Sequence, residues 1–199
     1  MAQNAAEKNR DDDVPTQKKL DDLYKLIDGI EVAMLTTRRP DGNLVSRAMQ
    51  TQKRTSGTDL WFVTGWYADK LDEIALDPNV SVTYYKDRTR DWVSVSGKAI
   101  ITRDRDLVRG LYKPDWKAWF PDEGGVNDGG PDDPRITLIL VEAQSVTYSK
   151  TDRPLPMVLF EVVKGMVTHS APKVADLRTV SEQELRSQVK GGSTQADAR

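Results

Sequence analysis

The stretch Ile30–Lys53, IEVAMLTTRRPDGNLVSRAMQTQK, holds two β-rich runs around a turn signal. Ile30–Thr37 is apolar and β-branched. Pro40-Asp41-Gly42-Asn43 follows: proline presets φ, glycine supplies positive φ, and Asp and Asn bond their own backbone. Leu44–Lys53 is the second run, so the pair reads as an antiparallel hairpin.

Working towards the C-terminus, Thr55–Asp59 is another turn and Leu60-Trp61-Phe62-Val63-Thr64 a short apolar strand. Asp69–Asp77 puts Leu71, Ile74 and Ala75 on one helical face and is stopped by Pro78-Asn79. Val80–Tyr85 is a fourth strand, Arg88–Asp91 a charged turn and Trp92–Thr102 a fifth strand, in which Gly97 marks a bulge or bend. Arg105–Tyr112 is helical until Pro114 interrupts it, and Asp115–Phe120 is a second short helix. Pro121–Pro134, with four Gly and three Pro, is a loop. Ile136–Val141 is the sixth strand, and Ser145–Ser149 a continuation or a seventh. Met157–Thr168 is rich in β-branched residues, yet Leu159, Val163, Met166 and Val167 share a helical face, which favours helix.

Towards the N-terminus, Lys18–Ile27 spaces Leu20, Leu23, Leu26 and Ile27 as an amphipathic helix that Gly29 breaks. Residues 1–15 read as a disordered lead and 190–199 as a disordered tail, leaving one domain over 16–189 with a C-terminal helix. Six strands in hairpin-like succession with small helices between them predict a mainly β fold: an antiparallel barrel, closed or partly closed, with peripheral α-helices. No glycine-rich dinucleotide fingerprint and no P-loop occurs.

The chain has 199 residues, 29 Lys+Arg against 31 Asp+Glu, no cysteine and one histidine, His169. That composition excludes disulfides, thiolate nucleophiles, Cys-rich zinc sites, multi-histidine metal centres and most catalytic triads. A net charge of −2 argues against a general nucleic-acid binder. No apolar stretch is long enough to cross a bilayer and no leader is visible, so a cytoplasmic protein is expected.

Three polar residues stand out. Arg47 lies mid-strand with Val45 and Met49 on its own face, where a guanidinium is either exposed or an anion ligand. Thr64 ends a strand and Lys70 opens the next helix, a geometry suited to phosphate, although a solvated helix lysine is the commoner reading. Among the aromatics, Trp61 and Trp92 fall within strands and belong to a core. Trp116 and Trp119, beside the glycine-rich loop, either cover a ring-shaped ligand or pack an interface. His169 has no partner at a recognisable spacing and reads as surface or structural.

Several segments together resemble one family: Val32–Thr37, Ser46–Met49, Leu60–Thr64, Lys70–Ile74, Asp77–Val80, Trp92–Gly97, Lys117–Pro121 and Asp133-Pro134, in that order. The chain is similar to the general stress protein 26 branch of the pyridoxamine 5′-phosphate oxidase-like, FMN-binding split-barrel proteins, over residues 18–150 and more loosely to 185. The resemblance implies a Greek-key split barrel and a homodimer with FMN at the subunit interface. It implies that Arg47 contacts the FMN phosphate or ribityl chain, that Lys70 contacts the phosphate and that Thr64 hydrogen-bonds the cofactor. The backbone of Ala48, Met49, Phe62 and Val63 would follow the flavin edge, and Trp116 and Trp119 would shape the pocket or reach it from the second subunit. Ala68 stands where the family often has a serine, and Thr147-Tyr148-Ser149 where the branch usually has Glu-Tyr-Trp; Trp66 is a candidate to replace the lost aromatic. The C-terminal segment lacks the arginine pattern of true pyridoxamine-phosphate oxidases.

The leading expectation is an FMN-dependent oxidoreductase linked to stress response, with the redox chemistry supplied by the flavin. The alternatives are a non-catalytic flavin-sequestering protein and a reductase using the deazaflavin F420. Haem binding is disfavoured, because one histidine and no cysteine leave little for an axial ligand.

Overall fold

The computed structural model describes residues 4–54, 60–151, 155–168 and 171–192. The turn at Thr55–Asp59, His169 and residues 193–199 of the expected tail lie outside the described residues. The chain folds as α1 (Ala5–Asn9), α2 (Thr16–Ile30), β1 (Val32–Arg38), β2 (Leu44–Gln50), β3 (Leu60–Gly65), α3 (Lys70–Leu76), β4 (Asn79–Lys86) and β5 (Asp91–Thr102). There follow α4 (Arg105–Leu111), a 3-10 turn (Pro114–Ala118), β6 (Ile136–Lys150), α5 (Leu155–Thr168), β7 (Asp176–Val180) and α6 (Glu182–Gly192).

All seven strands join one sheet in the order β2-β1-β4-β5-β6-β3, with β7 on β6 and every pairing antiparallel. The hairpin forms as its turn residues dictate. Gly42 takes φ +86°, Asp41 accepts from the Asn43 amide at 2.9 Å, and β1 pairs β2 from Val32↔Gln50 to Arg38↔Leu44. The two ends of the sheet then meet: Thr51, just past β2, bridges Phe62 of β3, and the Gln52 amide donates to the Trp61 carbonyl at 2.8 Å. The sheet is therefore curled into a split barrel whose seam lies between β2 and β3.

β3 is apolar without alternation because it is covered on both sides. Leu60 and Phe62 enter the main core with α2, β1, β4, β5 and α3, while Trp61 joins a second core with Val108, Leu111, Trp116, Phe120, Ile136 and Leu138. Gly97 is the bulge: the β5–β6 register shifts between Ser96 and Gly97, and a Cβ there would meet the Glu142 carbonyl oxygen at 2.3 Å. Trp61 is buried and Trp92 only half-buried.

Several boundaries differ from the sequence reading, α6 among them, which runs to Gly192 into the expected tail, and one open alternative is resolved. α2 runs through Gly29 to Ile30, which still packs against the main core, and ends where Glu31 adopts φ +62°. The second strand stops at Gln50, where the backbone turns into the seam. Ile136–Val141 and Ser145–Ser149 are one continuous strand, since β6 serves β3 along its first half and β7 along its second. β7 itself, DLRTV, was not anticipated; its mixed polarity hides a strand that buries only Arg178 and Val180.

Residues 4–15, expected as part of a disordered lead, are tied down in the structure. Asn4 and Glu7 form a capping box at α1. Asn9 accepts from the Val174 amide at 2.8 Å, Asp12 from the Thr179 amide at 2.8 Å, and Asp11 from Arg178. Arg178, 2% exposed, also donates to Asp22 and reaches the Tyr148 hydroxyl, so three segments distant in sequence meet on one guanidinium. Burial alone would raise the Asp22 carboxyl, but hydrogen bonds from Lys150, Arg178 and Lys18 bring it down to about 2.

A candidate flavin cleft at the barrel seam

The seam opens into a cleft of about 340 Å³. Its walls come from Ala48, Met49 and Gln50 at the end of β2, and from Val63, Thr64 and Gly65 at the end of β3. Tyr67, Ala68 and Lys70 close one end, and Trp116, Trp119 and Phe120 the other. The pairing scheme explains the construction: a cleft between two edge strands exposes backbone polar groups that a ladder would otherwise consume.

Lys70 is the first residue of α3 and donates to the Thr64 Oγ1 at 2.9 Å. It makes no ion pair with any described residue. Burial, and then the charge of Arg47, pull its ammonium below the usual lysine range. Beside Thr64, directly across the β3–β6 ladder and on the same face, stands Thr137. Thr137 is fully buried, and its hydroxyl has no hydrogen-bond partner among the described residues. A cation without an ion pair, beside the Thr64 hydroxyl on the cleft wall, is a donor set that fits a phosphate-bearing ligand.

Arg47 is placed differently. Its side chain points to the α3 side of the barrel and does not line the cleft. It grips both oxygens of Glu73, each at 2.8 Å, and donates to Thr37 Oγ1 at 2.8 Å. Glu73 is buried, and the Arg47 guanidinium holds its carboxyl below the ordinary range. Lys70 and Arg47 thus lie close enough for their charges to interact, but only Lys70 faces the cleft without an anion.

Ala48, Met49, Val63 and Thr64 line the cleft, as do Trp116 and Trp119. Phe62 is fully buried in the main core, so only its backbone can approach the seam. The two tryptophans differ. Trp116 is a fixed wall, buried, donating to Gln52 Oε1 at 3.2 Å and meeting Tyr112 edge-on at 5.6 Å. Trp119 is 77% exposed at the mouth. Tyr67, 65% exposed, stands at the opposite lip against Trp66, with ring centroids 6.0 Å apart. Tyr148, in the segment that departs from the branch pattern, points into the core and donates to the Lys19 carbonyl at 2.9 Å.

Gln50, Gln52, Gly65, Tyr67, Asp115 and Phe120 line the cleft without having been singled out, and Glu73 was missed as the partner of Arg47. Only Gly65 carried a signal. Its missing Cβ leaves room for the Tyr67 ring, which would otherwise stand 2.8 Å from it.

Among the described residues, no helix is long and apolar enough to cross a membrane, and no acidic or histidine cluster could hold a metal ion.

Known proteins share both the span and the fold. The protein bli-3 of Neurospora crassa is 39% identical over 182 residues, covering 90% of this chain and 87% of that protein. General stress protein 26 of Bacillus anthracis superposes with a TM-score of 0.56 at 24% identity, over 65% of this chain and 92% of that one. A pyridoxamine 5′-phosphate oxidase-related, FMN binding protein of Nostoc punctiforme gives 0.53 at 16% identity, over 68% and 84%. These two structures carry the same split barrel. The family model described as pyridoxamine 5′-phosphate oxidase like matches residues 18–173, from α2 to the approach to β7. By that match and by its likeness to bli-3, the chain belongs to the pyridoxamine 5′-phosphate oxidase-like family.

Proposed function

We propose that this chain is an FMN-binding oxidoreductase of the stress-protein branch, acting in the cytoplasm as a homodimer with the cofactor in the seam cleft. The observation that carries the reading is Lys70: a half-buried cation on the cleft wall, bonded to Thr64 and lacking a carboxylate partner among the described residues. A phosphate there would receive Lys70 and the Thr64 hydroxyl. The cleft volume of about 340 Å³ lies within the range of small-molecule sites, roughly 300–1,000 Å³.

When bound, FMN supplies the hydride and electron chemistry. The chain's own residues bind and orient. The backbone of β2 and β3 offers donors and acceptors along the ring edge. Trp116, fixed by Gln52, limits how deep a ring can slide, and Trp119 and Tyr67 flank the mouth where a second subunit would complete the cover. Arg47 is paired with both oxygens of Glu73, so its charge reaches the phosphate end largely cancelled; direct contact would require it to leave Glu73. The C-terminal segment supports a substrate other than pyridoxamine phosphate, since its Arg178 is committed to Asp11 and Asp22.

The test is a spectroscopic titration of the purified full chain with FMN, and separately with F420. Saturable quenching of FMN fluorescence at one site per chain is expected. A protein that takes up neither flavin overturns the reading, and preference for F420 transfers the site to the deazaflavin. Reduction of the bound flavin by NADH or NADPH, followed by reoxidation, separates an enzyme from a sequestering protein.

A further inference from the structure

α5 is built inside out. Its half-buried residues are Val158, Glu161, Val162 and Gly165. The opposite side carries Leu159, Phe160, Val163, Met166 and Val167, spaced i, i+1, i+4, i+7 and i+8, so they form one stripe. With Met157 at the edge, these side chains are 52% to 74% exposed. An apolar face normally lies inward, so this stripe is missing its cover.

We propose that α5 packs against the α5 of a second copy of this chain, antiparallel across a two-fold axis at Val163. Three features favour a second copy. The first is self-complementarity: about Val163, Leu159 of one helix meets Val167 of the other, and Phe160 meets Met166. The small β-branched residue lies at the centre, with a ring opposite a flexible thioether on either side. An isologous contact needs this kind of symmetry. The second is area. The six side chains expose on the order of 700 Å² of apolar surface, against about 800 Å² per partner in a standard interface and roughly 300–600 Å² for the largest patch of a typical monomer. The third is charge. Between Leu155 and Thr168 only Glu161 and Lys164 are charged, and they pair with each other at 3.8 Å. A helix that lies on an anionic membrane carries a basic polar face, which this one lacks. At 14 residues it is also shorter than the ~20 needed to span a bilayer.

This contact is independent of the flavin reading and is tested without flavin. In the full chain, Val163→Glu should halve the particle mass measured by sedimentation equilibrium, or raise the dissociation concentration at least tenfold, whatever assembly the wild type reaches. Because the chain has no cysteine, Val163→Cys provides a second measurement: on oxidation it should form a covalent dimer that dithiothreitol reverses. Met157→Cys, off the axis, should not. Unchanged mass in Val163→Glu, or equal cross-linking of the two cysteine variants, overturns the proposal. So does co-sedimentation of wild-type protein with phosphatidylcholine–phosphatidylserine vesicles that Val163→Glu abolishes at unchanged mass, which would assign the face to lipid.

Discussion

Arg178 is buried and Lys70 half-buried, and their surroundings are opposite. Arg178 is saturated: Asp11 and Asp22 accept from it, and the Tyr148 hydroxyl lies within reach. Lys70 has a single hydroxyl partner. Taking a charge out of water is costly unless it is paired. The saturated cation is explained by the fold it holds together, whereas the other keeps donors free on the wall of a cleft. Arg47 stands between them, adjacent to the cleft but already matched to Glu73.

The sharpest way to break this contrast is Arg178→Ala. It strands Asp11 and leaves Asp22 to Lys18 and Lys150 alone, and should cost about 3 kcal/mol of stability, the low end for a broken buried pair, read as a lower urea midpoint, with FMN affinity per folded molecule unchanged. An unaltered midpoint would show that the clasp contributes nothing. Lys70→Ala should do the reverse. Removing an uncompensated cation leaves the urea midpoint in place or raises it, while FMN binding weakens by about 1.5–3 kcal/mol, roughly 10- to 100-fold. Equal FMN affinity in variant and wild type would move the phosphate elsewhere.

Glu73→Gln tests the intermediate case through pH. The folded-state carboxyl is depressed by Arg47, so its stabilisation is present above the ordinary glutamate value and is lost as pH falls through the lowered one. The variant should be less stable by on the order of 1 kcal/mol at neutral pH and should lose less on acidification than the wild type. Parallel acid-denaturation curves would contradict the assignment. The smallest effect belongs to Trp119→Ala. An exposed side chain should change stability by less than about 0.5 kcal/mol, yet its loss should alter the fluorescence of bound FMN if it flanks the ring.

The contrast also separates what could be read from the sequence from what could not. The hairpin was legible because Pro40–Asn43 encodes its own turn, and Gly97 because a glycine within a strand signals close backbone approach. Thr64 and Lys70 were legible as a pair because six residues of one strand–turn–helix unit bring them together. Glu73 was not: on α3 it sits between Leu71 and Ile74, and nothing local says that its carboxylate turns inward to meet a strand 26 residues earlier. The clasp was illegible for the same reason on a longer scale. Asn9, Asp11 and Asp12 belong to a polar segment whose partners lie more than 160 residues away. Helix α5 was read correctly as a helix from its periodicity, but the pattern could not say that its apolar face points outward.

The seam has a consequence for how the molecule is made. β2 and β3 are neighbours in sequence, yet β3 reaches the sheet by pairing with β6, after β4 and β5 have been laid down between β1 and β6. Pairing Leu60 with Val141 closes a loop of some 80 residues, a step that contact order places among the slow ones. The cleft does not exist until that closure is complete. During folding the hairpin would form early, and the capacity to hold a ligand would come last, so ligand capture reports completion of the whole barrel.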